Sequence, residues 1–238
     1  MRILLTLVLL LFVHVDAHAE PYLWGQAKKH PYFGKHKKDW AKLVKLVMKN
    51  REMYMASVKP INPRFSLPNF QKKQVQLQRW RGKIILLTRW ATWCTPCKDG
   101  LRRKRILARK LKTYRILNVG VAHQRFADIA HYHATQPSTS QFAVSLIDTK
   151  GITLSILPGS AYPTTAIIDP WGWTWAYVRL RGTWDSKPHE DVFRFVLSLP
   201  YAKRSTSQPK RKRSRGRKGE RSNSQPTTKP WYALPTKS

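Results

Sequence analysis

The spacing of hydrophobic residues changes character along this chain, and the changes mark its boundaries. Behind Arg2, an apolar run from Ile3 to Val13 leads to Ala17-His18-Ala19, a small-x-small pattern that suits signal peptidase. The run is short for a membrane span, which takes about 20 apolar residues. Residues 1–19 therefore read as a cleaved secretory signal, with a retained anchor as the alternative. Either way the chain is expected outside the cytosol, in the periplasm or extracytoplasmic envelope, or associated with its membrane. Trp40, Leu43, Val44, Val47 and Met48 then recur at helical spacing, with Lys42, Lys45 and Lys49 on the other side. Asp39 is placed as the N-cap of this helix, which the pattern carries on from Trp40 toward Met55. Pro60, Pro63 and Pro68 mark a connector.

From Phe70 the period alternates between that of strands and that of helices. Val75–Leu77 and Ile84–Leu87 read as strands, the second one buried and central. A helix is predicted over Lys98–Lys112, a strand over Ile116–Val121, a helix from Phe126, and a strand over Val144–Ile147. Pro163–Ile168 and Trp173–Leu180 read as a hairpin around Asp169-Pro170-Trp171-Gly172, whose Pro and Gly suit a turn. A helix over Asp191–Leu199 closes the pattern. Such alternation predicts an α/β sheet. LIDTKG (Leu146–Gly151) echoes IIDPWG (Ile167–Gly172), and we read two similar turns rather than a repeat. Beyond Pro200 almost no apolar residue remains, so residues 201–238 are expected to be disordered.

Charge changes the picture next. The chain carries 45 Lys and Arg against 12 Asp and Glu, a formal net charge of +33. The segment from Lys203 onward holds 12 basic residues and Glu220, so it contributes +11; the preceding 202 residues carry +22. The folded part is therefore strongly basic by itself. Long-range attraction to polyanions is the consequence, whether anionic lipid, acidic protein or nucleic acid. His131 and His133 lie only two apart, do not share a helical face, and make a poor metal pair.

Both cysteines sit in RWATWCTPCKDG (Arg89–Gly100), at Cys94 and Cys97. A two-residue gap makes a poor structural staple, because longer loops constrain the unfolded chain more. Structural zinc needs about four Cys or His ligands, and no second cluster accompanies the pair. Covalent haem attachment asks for His after the second cysteine, and this chain has Lys98. Strand, then WCxxC, then helix places Cys94 at a helix N-terminus, where unpaired N–H groups and the helix dipole favour a thiolate. Thiol chemistry is the reading that remains strongest. Cys94 is then the nucleophile, and Cys97 resolves the mixed disulfide.

With Arg81-Gly82-Lys83, Trp90-Ala91-Thr92-Trp93-Cys94-Thr95-Pro96-Cys97, and Tyr162-Pro163-Thr164-Thr165 before Ile168-Asp169 and Gly172, the block Phe70–Pro200 resembles the TlpA/ResA-type branch of the thioredoxin family, exported thiol–disulfide oxidoreductases. The resemblance implies a thioredoxin-like fold, with a central mixed sheet flanked by helices. It divides the chain into a signal (1–19), an N-terminal extension with an amphipathic helix (20–62), the thioredoxin-like domain (63–200) and a disordered basic tail (201–238). It implies that Pro163 is a cis-proline facing Cys94 and Cys97, and that Trp93, Tyr162, Thr95 and Pro96 meet the substrate. No metal and no cofactor beyond the Cys94–Cys97 disulfide is implied. Expected partners are a protein thiol or disulfide and an electron donor or acceptor upstream. An anionic membrane surface comes next, reached through the basic tail, and nucleic acid after it. Thr95-Pro96 favours a reductant over an oxidant. The alternative is a binding or assembly module of an envelope or transfer machine that acts mainly through its basic surface.

Several positions depart from the family. Thr88 stands where a buried Asp or Asn is usual, Arg89 where a large apolar residue is usual, and Gly100 and Arg102 where Glu and Pro are usual. An arginine on a central strand is expected to find an acid or reach the surface. Lys98, Arg102, Arg103, Lys104, Arg105, Arg109, Lys110 and Lys112 make the helix after the motif basic nearly all round, which leaves only Leu101, Ile106, Leu107 and Leu111 for a buried stripe.

Overall fold

The computed structural model describes residues 24–113, 115–136, 142–180 and 182–200. The expected signal (1–19) and basic tail (201–238) lie outside them. Among the described residues, no helix is long and apolar enough to cross a membrane.

The first long helix, α1 (Lys37–Lys49), buries Trp40, Leu43, Val44 and Val47, the stripe that the spacing indicates. Its limits differ from those expected. His36 is the N-cap, and Asp39 lies in the first turn, where its carboxylate accepts a hydrogen bond from the Tyr32 hydroxyl. The helix stops at Lys49 because Asn50 turns the chain: its N–H returns to Val47 O, and its side-chain oxygen accepts the N–H of Glu52. Beyond that turn the chain enters strand β1 (Met53–Pro60) instead of continuing as helix.

The remaining strands are β2 (Ser66–Pro68), β3 (Gln74–Gln76), β4 (Ile84–Trp90), β5 (Ile116–Ala122), β6 (Val144–Ile147), β7 (Thr164–Ile168) and β8 (Trp173–Arg179). Helix α2 (Thr95–Lys110) joins β4 to β5, α3 (Phe126–Thr135) joins β5 to β6, and α4 (Lys187–Ser198) comes after β8. Six strands form one mixed sheet in the order β1-β8-β7-β4-β5-β6. β4, β5 and β6 run parallel, whereas β7 is antiparallel to β4 and β8, and β1 is antiparallel to β8. β2 and β3 make a separate small hairpin. This is the α/β thioredoxin-like architecture with an added N-terminal helix. β1, which ends on Pro60 of the expected connector, adds a further edge strand to the sheet.

Alternation along β4 divides the core. Ile84 and Leu86 pack with α1, α2 and α4, in a cluster that includes Val44, Leu107, Val192 and Phe193. Ile85 and Leu87 face the opposite way, against Leu67, Val75, Leu77 and Leu157 from the small hairpin and loops. All seven residues of β4 are buried, as are all seven of β5. Gly120 on β5 is there for space: a Cβ would come 2.6 Å from Trp90 Nε1 and from a ring carbon of Phe142. Trp90 can therefore pack against β5 at this position, with the Tyr132 and Phe142 ring centroids each 5.1 Å away.

The two echoing Asp-Gly segments are indeed separate turns. Asp148 accepts the N–H groups of Ile152 and Thr153 and the Thr153 hydroxyl. Asp169 Oδ1 accepts from Trp171 N and Trp173 N, and Gly172, at φ +82°, closes the hairpin back to Asp169 O. The other oxygen of Asp169 receives His30 Nε2 at 2.7 Å, with both side chains fully buried. His30 Nδ1 accepts the N–H groups of Tyr32 and Phe33, so its hydrogen sits on Nε2. One imidazole thus fastens the N-terminal extension to the β7–β8 turn.

Candidate redox site

β4 carries the chain into the motif and α2 receives it. Cys94 is the N-cap of α2, its Sγ accepts the Cys97 N–H at 3.2 Å, and Pro96 occupies the first turn, where a missing N–H is harmless. The two cysteines form a disulfide with Cα atoms 5.3 Å apart. Both are almost fully buried, at 3% and 2% exposure, while Trp93 beside them is 68% exposed. The Tyr162–Pro163 peptide is cis. Tyr162 contacts Trp93 with ring centroids 5.5 Å apart, so the segment before β7 meets the cysteine loop across one shared edge. Thr95 and Pro96 are exposed in the first turn of α2. The structure thus gathers Trp93, Cys94, Thr95, Pro96, Cys97, Tyr162 and Pro163 at the C-terminal end of β4.

The loop is also held from β5. Thr92 N donates to Gln124 Oε1 at 2.8 Å, and Gln124 Nε2 donates back to the Thr92 hydroxyl at 3.0 Å. No motif marks Gln124 in the sequence. Its signal is positional: it lies just past the C-terminal end of a parallel strand that neighbours β4, the edge where α/β sheets place their sites. His123, beside it, bonds the Thr153 hydroxyl and lies 3.6 Å from Asp148. Burial lowers its pKa, Asp148 opposes that, and Arg89 adds to the lowering.

Arg89 neither meets an acid nor reaches water, contrary to expectation. It is 1% exposed, forms no ion pair among the described residues, and donates through Nη1 and Nη2 to the carbonyls of Gly159 and Leu157. Its guanidinium also lies 6.0 Å from the Tyr162 ring centroid. Burial pulls its pKa down, while Tyr162 and Asp148 pull the other way. Arginine presents a planar fork of donors, and here the fork caps two loop carbonyls. It ties the strand that feeds Cys94 to the loop that ends at cis-Pro163.

On the other face of β4, Thr88 pairs in register with Thr165 of β7, and their hydroxyl oxygens lie 3.0 Å apart. Lys104 comes up from α2 between them. Expected on the surface, it is 2% exposed. The stripe that α2 actually buries is Cys97, Gly100, Leu101, Lys104, Leu107 and Ala108, and Ile106 is only half-buried. Position 104 lies three residues from both Leu101 and Leu107 and seven from Cys97, so the period puts it on the buried stripe and only its charge argues against it.

A mixed sheet, a CxxC pair at the start of a helix and a cis-proline opposite it define a thioredoxin-like domain. Residues 60–173 match the AhpC/TSA family. Two Bacillus subtilis proteins are similar. The thioredoxin-like protein YneN is 34% identical over 114 residues, covering 46% of this chain and 64% of that protein. The thiol–disulfide oxidoreductase ResA is 29% identical over 112 residues, covering 46% of this chain and 60% of that one. The chain thus spans somewhat under two thirds of the length of these relatives. Among solved structures, a thiol:disulfide interchange protein DsbE from Chlorobium tepidum aligns over 58% of this chain and 97% of its own, with 24% identity and a TM-score of 0.48.

Proposed function

We propose that the protein is an exported thiol–disulfide oxidoreductase acting on protein disulfides, with Cys94 attacking and Cys97 resolving. The single observation that carries this reading is the Cys94–Cys97 disulfide at the N-terminus of α2, opposite Tyr162-cis-Pro163. In the reduced form the helix end stabilises a thiolate on Cys94. That thiolate attacks a substrate disulfide, one substrate sulfur leaves as thiolate, and Cys97 then displaces the other. Trp93 and Tyr162 offer an apolar, exposed rim to the substrate, and the segment before β7 offers backbone for an extended strand to pair with. Reduction of insulin with dithiothreitol as electron source, and capture of a partner by Cys97→Ser, test the reading.

A reducing poise is proposed for the pair. Among the described residues a single N–H, that of Cys97, points at Cys94 Sγ; Pro96 has none and Thr95 brings no charge. Modest thiolate stabilisation accords with a potential closer to about −270 mV than to about −120 mV. The net charge of +33 supports an anionic surface as the setting, and binding of the full-length protein to acidic vesicles that falls with added salt checks it.

Arg89 is expected to act on substrate binding rather than on the cysteines. Arg89→Met leaves the Leu157 and Gly159 carbonyls without their donors and frees the loop before cis-Pro163. Charge-assisted hydrogen bonds contribute about 1.5–3 kcal/mol each. The expected result is a rise of about tenfold in KM for insulin, little change with a small disulfide, and partial recovery in Arg89→Lys.

A further inference from the structure

The buried stripe of α2 runs from the resolving cysteine to a lysine. Cys97 and Lys104 are seven residues apart, two turns or about 10 Å of axial rise. Helical side chains lean toward the N-terminus, so the lysine stem climbs back toward the redox loop. Gly100 lies between them on the stripe and contributes no side chain. No side chain of α2 itself stands between the two at position 100.

At its end, Lys104 Nζ lies 2.6 Å from Thr88 Oγ1 and 2.9 Å from Thr165 Oγ1, and the two hydroxyls are 3.0 Å apart. These three groups make a closed triangle. With a neutral amine the triangle satisfies itself: each corner donates one hydrogen to the next, and the second amine hydrogen faces the Trp184 ring, 4.5 Å away. With an ammonium both hydroxyls become acceptors from nitrogen, and one hydroxyl hydrogen is left without a place in the triangle. No carboxylate pairs with Lys104 among the described residues, and burial drives its pKa well below the ordinary lysine value. The titratable groups around it do not supply a counter-charge. His189 on α4 is buried, and burial pushes it down to about 4 against the opposing pull of Glu52 and Asp185, so it is neutral. Asp185 is held by Arg103, and Glu52 accepts from Thr183. Lys104 is thus a buried base at the foot of the redox helix, its lone pair engaged only by a rotatable hydroxyl.

We propose that Lys104 is the proton acceptor for the resolving cysteine. This rests on the exchange reaction proposed above. In the mixed disulfide, the Cys97 thiol proton passes to the Lys104 amine along the buried face of α2. The Cys97 sulfur attacks Cys94 Sγ, the Cys94–Cys97 bond forms and the Cys94–substrate bond breaks. The substrate sulfur leaves with the electron pair as a thiolate and takes its proton from solvent. Oxidation of the two cysteines balances reduction of the substrate disulfide, and the ammonium then returns its proton to water. In reverse, Lys104 hands the proton back to Cys97 as the disulfide is reduced.

The test is a single turnover of the reduced, full-length protein with excess 5,5′-dithiobis(2-nitrobenzoate). Attack by Cys94 releases one thionitrobenzoate, and resolution by Cys97 releases a second in a phase independent of reagent concentration. Lys104→Met is expected to keep the first phase and to slow the second by about tenfold to a hundredfold near pH 7. Without the amine, resolution depends on spontaneous ionisation of the thiol. The deficit should therefore close as pH rises past a free-thiol pKa of about 8.5. An unchanged second phase with an unchanged pH profile overturns the proposal while leaving the exchange reading intact. Absence of the first phase in the parent protein overturns the exchange reading itself. A measurement on the oxidised parent needs no altered fold: the Lys104 ¹³Cε and ¹⁵Nζ resonances are expected to report a neutral amine at pH 7. An ammonium there also overturns the proposal.

Discussion

Cys94→Ser is expected to lower insulin reduction by at least about a thousandfold, while Cys97→Ser retains the first attack and stalls as a mixed disulfide. The asymmetry comes from where α2 begins. Cys94 is its N-cap, with the Cys97 N–H directed at its sulfur and the exposed Trp93 beside it. Cys97 is one turn inside, on the stripe that packs against the sheet, next to Leu101 and above Lys104. A serine at 94 removes the only nucleophile with access to a protein disulfide. A serine at 97 removes only the step that releases it. Quantifying free thiols and adduct mass after incubation with a protein disulfide separates the two: no adduct for Cys94→Ser, and one stable adduct per chain for Cys97→Ser.

His30→Ala is expected to destabilise the fold by about 3–5 kcal/mol, read as a lower urea midpoint with an unchanged slope. The imidazole satisfies two backbone N–H groups through Nδ1 and one oxygen of a fully buried carboxylate through Nε2. It is also packed against Phe33, Trp171 and Trp173, with ring centroids 4.7, 5.3 and 5.1 Å away. Truncation leaves an Asp169 oxygen buried without its donor and opens a cavity among aromatic rings, two costs that add. His30→Gln, which can still offer an N–H to Asp169, should recover part of the loss. Because Asp169 shapes the turn between β7 and β8, and β7 begins directly after cis-Pro163, a smaller loss of activity is expected to accompany the loss of stability.

How much of this is legible in the sequence depends on which residues meet a periodic pattern. The β/α alternation from Phe70 onward places strands and helices within a few residues of their observed limits, because each buries one face in a regular period. The redox loop is legible because spacing and flanking elements restrict a CxxC pair so strongly. β1 is not: Met53-Tyr54-Met55 comes after a helix with no Pro or Gly between, and only the Asn50 turn and pairing to β8 make it a strand. Arg89 and Lys104 defy expectation for one shared reason. A cation is ordinarily assigned to water, and nothing local in the sequence announces that two loop carbonyls, or two threonine hydroxyls from different strands, will take it in. His30 and Gln124 are the same case over longer distances, 139 and 32 residues from their partners. Chemistry carried by local spacing can be read directly, and chemistry assembled across the sheet cannot.

That contrast bears on the family departures. Thr88, Arg89 and Gly100 look like losses when taken singly, and Lys104 like one more surface cation. Together they form two buried arrangements on opposite faces of β4. One is an arginine that holds the cis-proline loop, and the other is an amine beneath the resolving cysteine that shares its hydrogens with Thr88 and Thr165. Both keep a basic side chain inside without a carboxylate, which costs stability.

The central claim is that Cys94 and Cys97 are a working dithiol couple with Cys94 outermost. The most direct measurement is to react the reduced protein with limiting glutathione disulfide, quench with acid and map the adduct by peptide mass. The account predicts glutathione on Cys94 at early times, giving way to the Cys94–Cys97 disulfide, with none on Cys97. Adducts on Cys97 first, or a reduced protein that takes up no glutathione and forms no disulfide, would contradict it.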